Sequence, residues 1–479
     1  MGKKAKGNNP FTNLGNKLAF FPVDAKPHYM LFFVAVAVQL IASAVSGIGY
    51  SVDNIAFWMV GLVFWLLWFF IMFLIVRPQT DVKLQKWGGV LKRGAILIFI
   101  VMFVVGVAET VILTCFTHNI LDDGVNSGAD EVVQALYDGF RYNDGTALSQ
   151  QAAENLLDGK NPYTNSNIVT ALEKYDGVYD RVTPLQKGRF EYDFPYPSAQ
   201  QIEEVWNEAK QNPSQIPEEI ESKVCYPAGT FLSIAPFIAI GITDIRIIYA
   251  IIMIAALVYV AWRVPNKRRL IFIGVTLCSL ELWNTLGCGE TGLIIFPLLL
   301  IAWVTLGEND WVSGLFMGLA VATKQTAWFF LPFFGILLFR TWGWKRFWIW
   351  AGVIIAVFFA TNGYFIINNP EVWMNSIMAP MLEPMFPLGV GAVSLVTSGL
   401  VNIHTTWPFV AAEIGVLIGG GLWYLRYCKK YPDIGPVLAI LPLFFAWRSL
   451  WTYFYYVAII VLARMLIKEE DEGSAIKSQ

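Results

Sequence analysis

Apolar runs of about 15 to 22 residues alternate with short polar joints along most of this chain. Runs of that length suit a hydrocarbon core of about 30 Å, where only a helix satisfies its own backbone. The pattern predicts helices at 29–48, 55–76, 95–116, 247–263, 270–287, 291–306, 311–323, 326–340, 347–367, 407–425, 434–447 and 450–464. One further run, 228–243, is flanked or interrupted by Pro227 and Pro236 and reads as a broken, re-entrant or interfacial segment. The fold class expected is therefore an all-α polytopic membrane protein with about 12 transmembrane helices.

One interval breaks the rhythm. Between Phe116 and Tyr226 the chain turns polar and holds 19 of its 36 acidic residues against 8 of its 34 basic ones. Thr146–Leu157 reads as a helix that follows Asp144-Gly145 and ends at Asp158-Gly159-Lys160, and Ile202–Gln211 reads as a second. The DFPYPS stretch reads as turns.

Basic residues orient the spans. Lys3, Lys4, Lys6, Lys17 and Lys26 place the N-terminus in the cytoplasm, and Arg77, Lys83, Lys86, Lys92 and Arg93 form a cytoplasmic loop. The helix 95–116 then delivers the polar excursion to the outside. With 228–243 not crossing, Arg263, Lys267, Arg268 and Arg269 fall inside, as do Arg340, Lys345, Arg346, Arg426, Lys429, Lys430 and Lys468. Both termini are then cytoplasmic. The expected organisation is a cytoplasmic segment 1–28, two added helices with a basic loop over 29–94, a membrane domain over 95–467 that contains the loop 117–226, and a solvated tail 468–479. The N-terminal segment lacks a short apolar core with a small-residue cleavage site, so the first helix reads as a retained span.

Composition narrows the function. A chain that is 56% hydrophobic, with 19 Trp and 35 Phe, is no ordinary soluble protein. No polybasic stretch points to nucleic acid. HExxH, GxSxG and P-loop patterns are absent, which leaves a metalloprotease, a serine hydrolase or a nucleotide-driven pump without support. The five cysteines have no zinc spacing. Cys115 and Cys225 stand at the two membrane edges of the excursion, where they are either a closing disulfide or two unpaired thiols.

The threading collects Arg246, Glu290, Lys324, His404 and Arg448 at helix ends on the side of the excursion. Ionisable groups there are costly unless they face a cavity or a partner. Any one alone serves equally well as a headgroup-level anchor.

These features together resemble the GT-C superfamily of integral-membrane glycosyltransferases, in particular its bacterial branch that uses polyprenyl-phosphate mannose. The likeness runs over roughly residues 95–460. It is carried by NDGTALSQQAAENLLDGKNPY at 143–163, by Cys225-Tyr226-Pro227-Ala228 through Asp244-Ile245-Arg246, and by GLAVATKQTAWFFLPF around Lys324. The helices 29–48 and 55–76 look like an addition to that pattern. Asp144 also lies farther after the helix than the resemblance leads one to expect, which keeps Asp122, Asp123, Asp130 and Glu131 as rivals.

The resemblance implies an inverting transfer of a sugar, mannose by analogy, from a polyprenyl phosphate to a hydroxyl of a glycan, lipid or protein at the outer face of the cell membrane. It implies Asp144 as the catalytic base, and Lys324, Arg246 and Arg448 as cations for the donor phosphate. Glu290, His404, Tyr163 and Tyr226 are expected to contact substrate. No cofactor is indicated; some relatives use a divalent ion, but the carboxylates here have no diagnostic spacing. Two other functions fit a polytopic chain. A transporter or lipid flippase would show inverted repeats and mid-membrane charges, and a scaffold would leave Asp144, Glu290 and Lys324 freely replaceable.

Overall fold

The computed structural model describes residues 26–477 apart from 53, 118–138, 176 and 178, and no side chain at 113–117 or 469–477. Asp122, Asp123, Asp130 and Glu131, with the Cys115 side chain, therefore lie outside the described residues. Cys225 carries a free thiol.

Most of what is described is helix. Among the described residues seven helices are long and apolar enough to cross a membrane: Pro27–Val52, Ile55–Ile75, Thr80–Ile112, Ile245–Arg263, Trp344–Asn368, Trp407–Tyr427 and Trp451–Lys468. An eighth is gained if Arg269–Cys278 and Leu280–Cys288, bent by 53° at Ser279, count as one span. The expected all-α polytopic fold class holds, with seven or eight of the expected spans at full membrane length. Apolar stretches such as Gly292–Thr305, Asp310–Val321 and Pro432–Phe445 are helical but short. Hydropathy registers their composition and not the turns that cut them. The run after Pro227 is broken into Gly229–Leu232 and Ala235–Ala239, too short to cross, as its prolines predict.

The last helix runs from Val457 to Lys477, into the segment expected as a solvated tail. Its apolar part is buried and packs against Gly292–Thr305, Arg269–Cys278 and Pro27–Val52. Trp407–Tyr427 and Thr80–Ile112 instead leave most of their apolar surface bare, as a lipid-facing helix does.

The first two helices form an antiparallel hairpin. The chain reverses at Asn54, whose side chain accepts from the Ala56 amide at 2.9 Å and starts the second helix. That helix sets Trp65 and Phe69 against Phe454 and Phe444 at ring separations of 5.1 and 5.2 Å. Lipid tails are as apolar as these rings, so close edge-to-face fit, not exclusion from water, holds the hairpin in place. The residues it grips, 444–454, carry Arg448.

The excursion lies across the broken run. Asp144–Leu157 packs on both short helices that follow Pro227, and Ala199–Gln211 begins with a reciprocal cap between Ser198 and Gln201. A helix at Ile168–Lys174 joins the two expected ones.

Candidate active site

Asn143 sets the geometry. It precedes the Asp144 helix in extended conformation, and its side-chain oxygen accepts from the Thr146 amide at 2.8 Å. Its amide nitrogen donates to Glu290 at 3.0 Å. The same turn is fastened twice more. The Tyr142 hydroxyl donates to Asp244 at 2.9 Å, and the Gln150 amide donates to the Thr243 carbonyl at 2.6 Å. A watery loop is thus pinned to the ends of membrane helices by directed polar bonds.

The Asp144 carboxylate projects from the first turn. It accepts from the Gly145 amide at 2.6 Å and from the Thr183 hydroxyl at 2.5 Å. Burial pushes its carboxyl above the ordinary aspartate range. The two hydrogen bonds and the Arg448 charge only partly offset this, and the Glu290 charge adds to it. A carboxylate held this way is a better proton acceptor than one in water.

Gly145 allows the next contact. A Cβ there would stand 2.7 Å from the Tyr226 hydroxyl, so only glycine lets that phenol lie against the helix. Tyr226 also faces Lys324, whose ammonium sits 5.3 Å from the ring centroid. The Lys324 ammonium donates to Glu290 at 2.6 Å and to the Thr291 hydroxyl at 2.7 Å, and Lys324 is only 6% exposed. Gln325 donates to the Cys225 and Ile377 carbonyls at 2.5 and 2.9 Å and so clamps the strand before Tyr226. Asp144, Tyr226, Glu290 and Lys324 are therefore neighbours.

Arg448 approaches from the other side. It lies in a two-residue parallel strand pair, Leu388–Gly389 with Arg448–Ser449. Gly389 has φ +131°, and a Cβ there would overlap the Ser449 carbonyl, so the pairing depends on glycine. Arg448 lies within electrostatic reach of Asp144, Tyr50, Tyr196 and Tyr453. Its Nη1 is buried and finds no hydrogen-bond partner among the described residues. A buried guanidinium N–H without an acceptor is expensive, and it marks a place where an anion would be welcome.

Three expected site residues are placed differently. Arg246 spends its guanidinium on Asp244 at 2.7 Å and on the Phe140 and Gly287 carbonyls, both at 3.1 Å. It binds the excursion to the 287–291 turn. Tyr163 is buried between Phe231 and Phe365, and its hydroxyl donates to the Tyr226 carbonyl at 3.0 Å. It shapes the wall behind Tyr226. His404 is exposed and stacked 4.0 Å from Phe194. It borders a separate hollow of about 350 Å³ with Gln186, Glu383 and Trp447.

Sequence reasoning did not single out Thr183, Tyr196, Tyr50 or Tyr453. Only Asn143 had a local signal, a cap residue at the head of a helix. Among the described residues no group of three or more His, Cys, Asp or Glu side chains is arranged to hold a metal ion.

Residues 225–441 match the family model of glycosyltransferase family 87, a family of GT-C-type membrane glycosyltransferases. The matched span includes Tyr226, Arg246, Glu290, Lys324 and His404; Asp144, Tyr163 and Arg448 lie outside it. No curated protein and no solved structure matches the chain.

Proposed function

We propose that this GT-C-type membrane glycosyltransferase moves a sugar, with mannose the leading candidate, from a polyprenyl phosphate to an acceptor hydroxyl with inversion at the anomeric carbon. The observation that carries the reading is a half-buried, proton-avid carboxylate, Asp144, within electrostatic reach of Arg448, whose buried Nη1 lacks an acceptor among the described residues.

The acceptor oxygen attacks the anomeric carbon as its proton passes to Asp144. The bond from that carbon to the phosphate oxygen breaks, and the electron pair leaves with the phosphate. Arg448 supplies N–H groups where that charge develops. Lys324 has its charge balanced by Glu290 and backs the Tyr226 ring. Arg246 holds the loop that carries Asp144. Thr183 keeps the carboxylate aimed.

The site is assigned to the extracytoplasmic face. Arg263 pairs with Glu308 at 2.5 Å, and Arg346 pairs with Asp310, at the opposite end of the helices that present Arg246, Glu290 and Lys324. Clustered arginines and lysines at that far end favour a cytoplasmic position for it. A long-chain carrier would reach the site along bare helix faces such as Trp407–Tyr427.

The test is transfer from radiolabelled polyprenyl-phosphate sugars in membranes holding the wild type or Asp144→Asn. The expected result is transfer by the wild type alone. Full activity of the variant would remove Asp144 as base. Inactivity of the wild type with every polyprenyl donor, together with measurable lipid or solute translocation, would favour a transporter.

A further inference from the structure

The N-terminal hairpin has the character of an appendage in sequence, and the structure builds it into the reaction space. Its second helix grips Phe444 and Phe454 on either side of Arg448. At its turn the first helix presents Tyr50, and that ring meets Tyr196 of the excursion edge-on at 6.0 Å and Trp58 at 6.2 Å. Tyr196 is anchored from behind by Phe386 at 5.5 Å. Both phenols lie within electrostatic reach of Arg448, and Tyr196 also of Asp144.

We propose that Tyr50, delivered by the hairpin against Tyr196, is a specificity-determining residue on the acceptor side of the Asp144–Arg448 space, where it positions a saccharide. The inference rests on the transferase reading above. Three observations set the side and the chemistry. Lys324, Glu290 and Tyr226 close the space from the membrane-helix side through bonds to one another. Tyr50 stands at the polar turn of the hairpin and is 49% exposed, so part of its ring is left uncovered by Tyr196 and Trp58. An open tyrosine ring with a hydroxyl at its tip suits a pyranose, apolar on its C–H face and hydroxylated at its rim.

The probes are octyl mannoside as the saccharide acceptor and octyl glycerol as a non-saccharide alcohol, with labelled polyprenyl-phosphate mannose as donor and the full chain in nanodiscs. Tyr50→Ala is expected to raise KM for octyl mannoside about tenfold, the loss of a contact near 1.4 kcal/mol. Donor KM should move less than twofold, and preference for octyl mannoside over octyl glycerol should fall. Tyr50→Phe keeps the ring and should retain most of that preference, and it also serves if the alanine variant folds poorly. An unchanged acceptor KM in Tyr50→Ala overturns the proposal. So does a rise in donor KM equal to that of the acceptor, which would place Tyr50 on the donor. A wild type that transfers to octyl glycerol as well as to octyl mannoside overturns the saccharide assignment alone. A wild type inert toward the donor overturns the transferase reading itself, and this inference with it.

Discussion

Lys324 and Arg448 are cations at the same end of the molecule, held in opposite ways. Lys324 is enclosed, and its ammonium has Glu290, Thr291 and the Tyr226 ring around it. Arg448 is held by backbone pairing, and its buried Nη1 is left without an acceptor. A satisfied buried pair contributes mainly through the penalty for breaking it, whereas an unsatisfied N–H contributes through what it can bind. The first arrangement keeps the site in shape and the second keeps it ready.

Four single variants, one with a double variant as its control, press on this contrast in falling order of effect. Asp144→Asn retains the shape and removes the proton acceptor, so transfer should drop about 10²–10⁴-fold while the protein melts as the wild type does. The pH profile gives a companion test. Asp144 works ionised and its carboxyl is raised, so kcat/KM should fall with acidification on a limb above the ordinary aspartate value. An acid limb at the usual aspartate position would show that burial does not govern the group.

Lys324→Ala leaves Glu290 buried beside an empty place and should cost about 3–5 kcal/mol of stability, seen as a lower midpoint in detergent. Lys324→Met with Glu290→Gln should recover much of that loss. If the single variant unfolds no earlier than the wild type, the pair is not a support and the contrast fails.

Arg448→Ala should lower kcat about 10²–10³-fold with little change in melting, because no hydrogen bond to its Nη1 is lost. Thermal collapse of that variant would place Arg448 with Lys324. Gly145→Ala is the mildest. Its methyl meets the Tyr226 hydroxyl and should cost about 1–3 kcal/mol in midpoint stability, with the rate reduced through the displaced phenol.

Much of this was visible in sequence where the signal is local. The Asp144 helix is expected from Thr146 to Leu157 and begins two residues earlier, because Asn143 caps it. Proline at 227 and 236 announced the broken run. Helix length was less legible than helix position. Asp310–Val321 is as apolar as a true span over twelve residues and then stops at the Ala322–Lys324 turn, and composition carries little news of such a stop. Arg246 was recognisable as a helix-end cation beside Asp244, but its further bonds to the Phe140 and Gly287 carbonyls are remote in sequence. Tyr50 was illegible, since its meaning comes from Tyr196, 146 positions away. Contacts of that reach exist only once the chain is folded.

The short helices also set a depth. Gly292–Thr305 and Asp310–Val321 have 14 and 12 residues, which at 1.5 Å per residue makes about 21 and 18 Å. A hydrocarbon core measures about 30 Å. Their shared turn is held by Arg263–Glu308 and Arg346–Asp310, a polar ring suited to one headgroup layer. The shortfall of about 10 Å therefore falls at the Glu290 and Lys324 end. A bilayer seated on that polar ring would extend about 10 Å past the Glu290 and Lys324 end, and so leave these ionic groups below the opposite headgroup layer. On the reading proposed above, a carrier lipid would keep its chain among its neighbours and bring only its sugar phosphate down to that level.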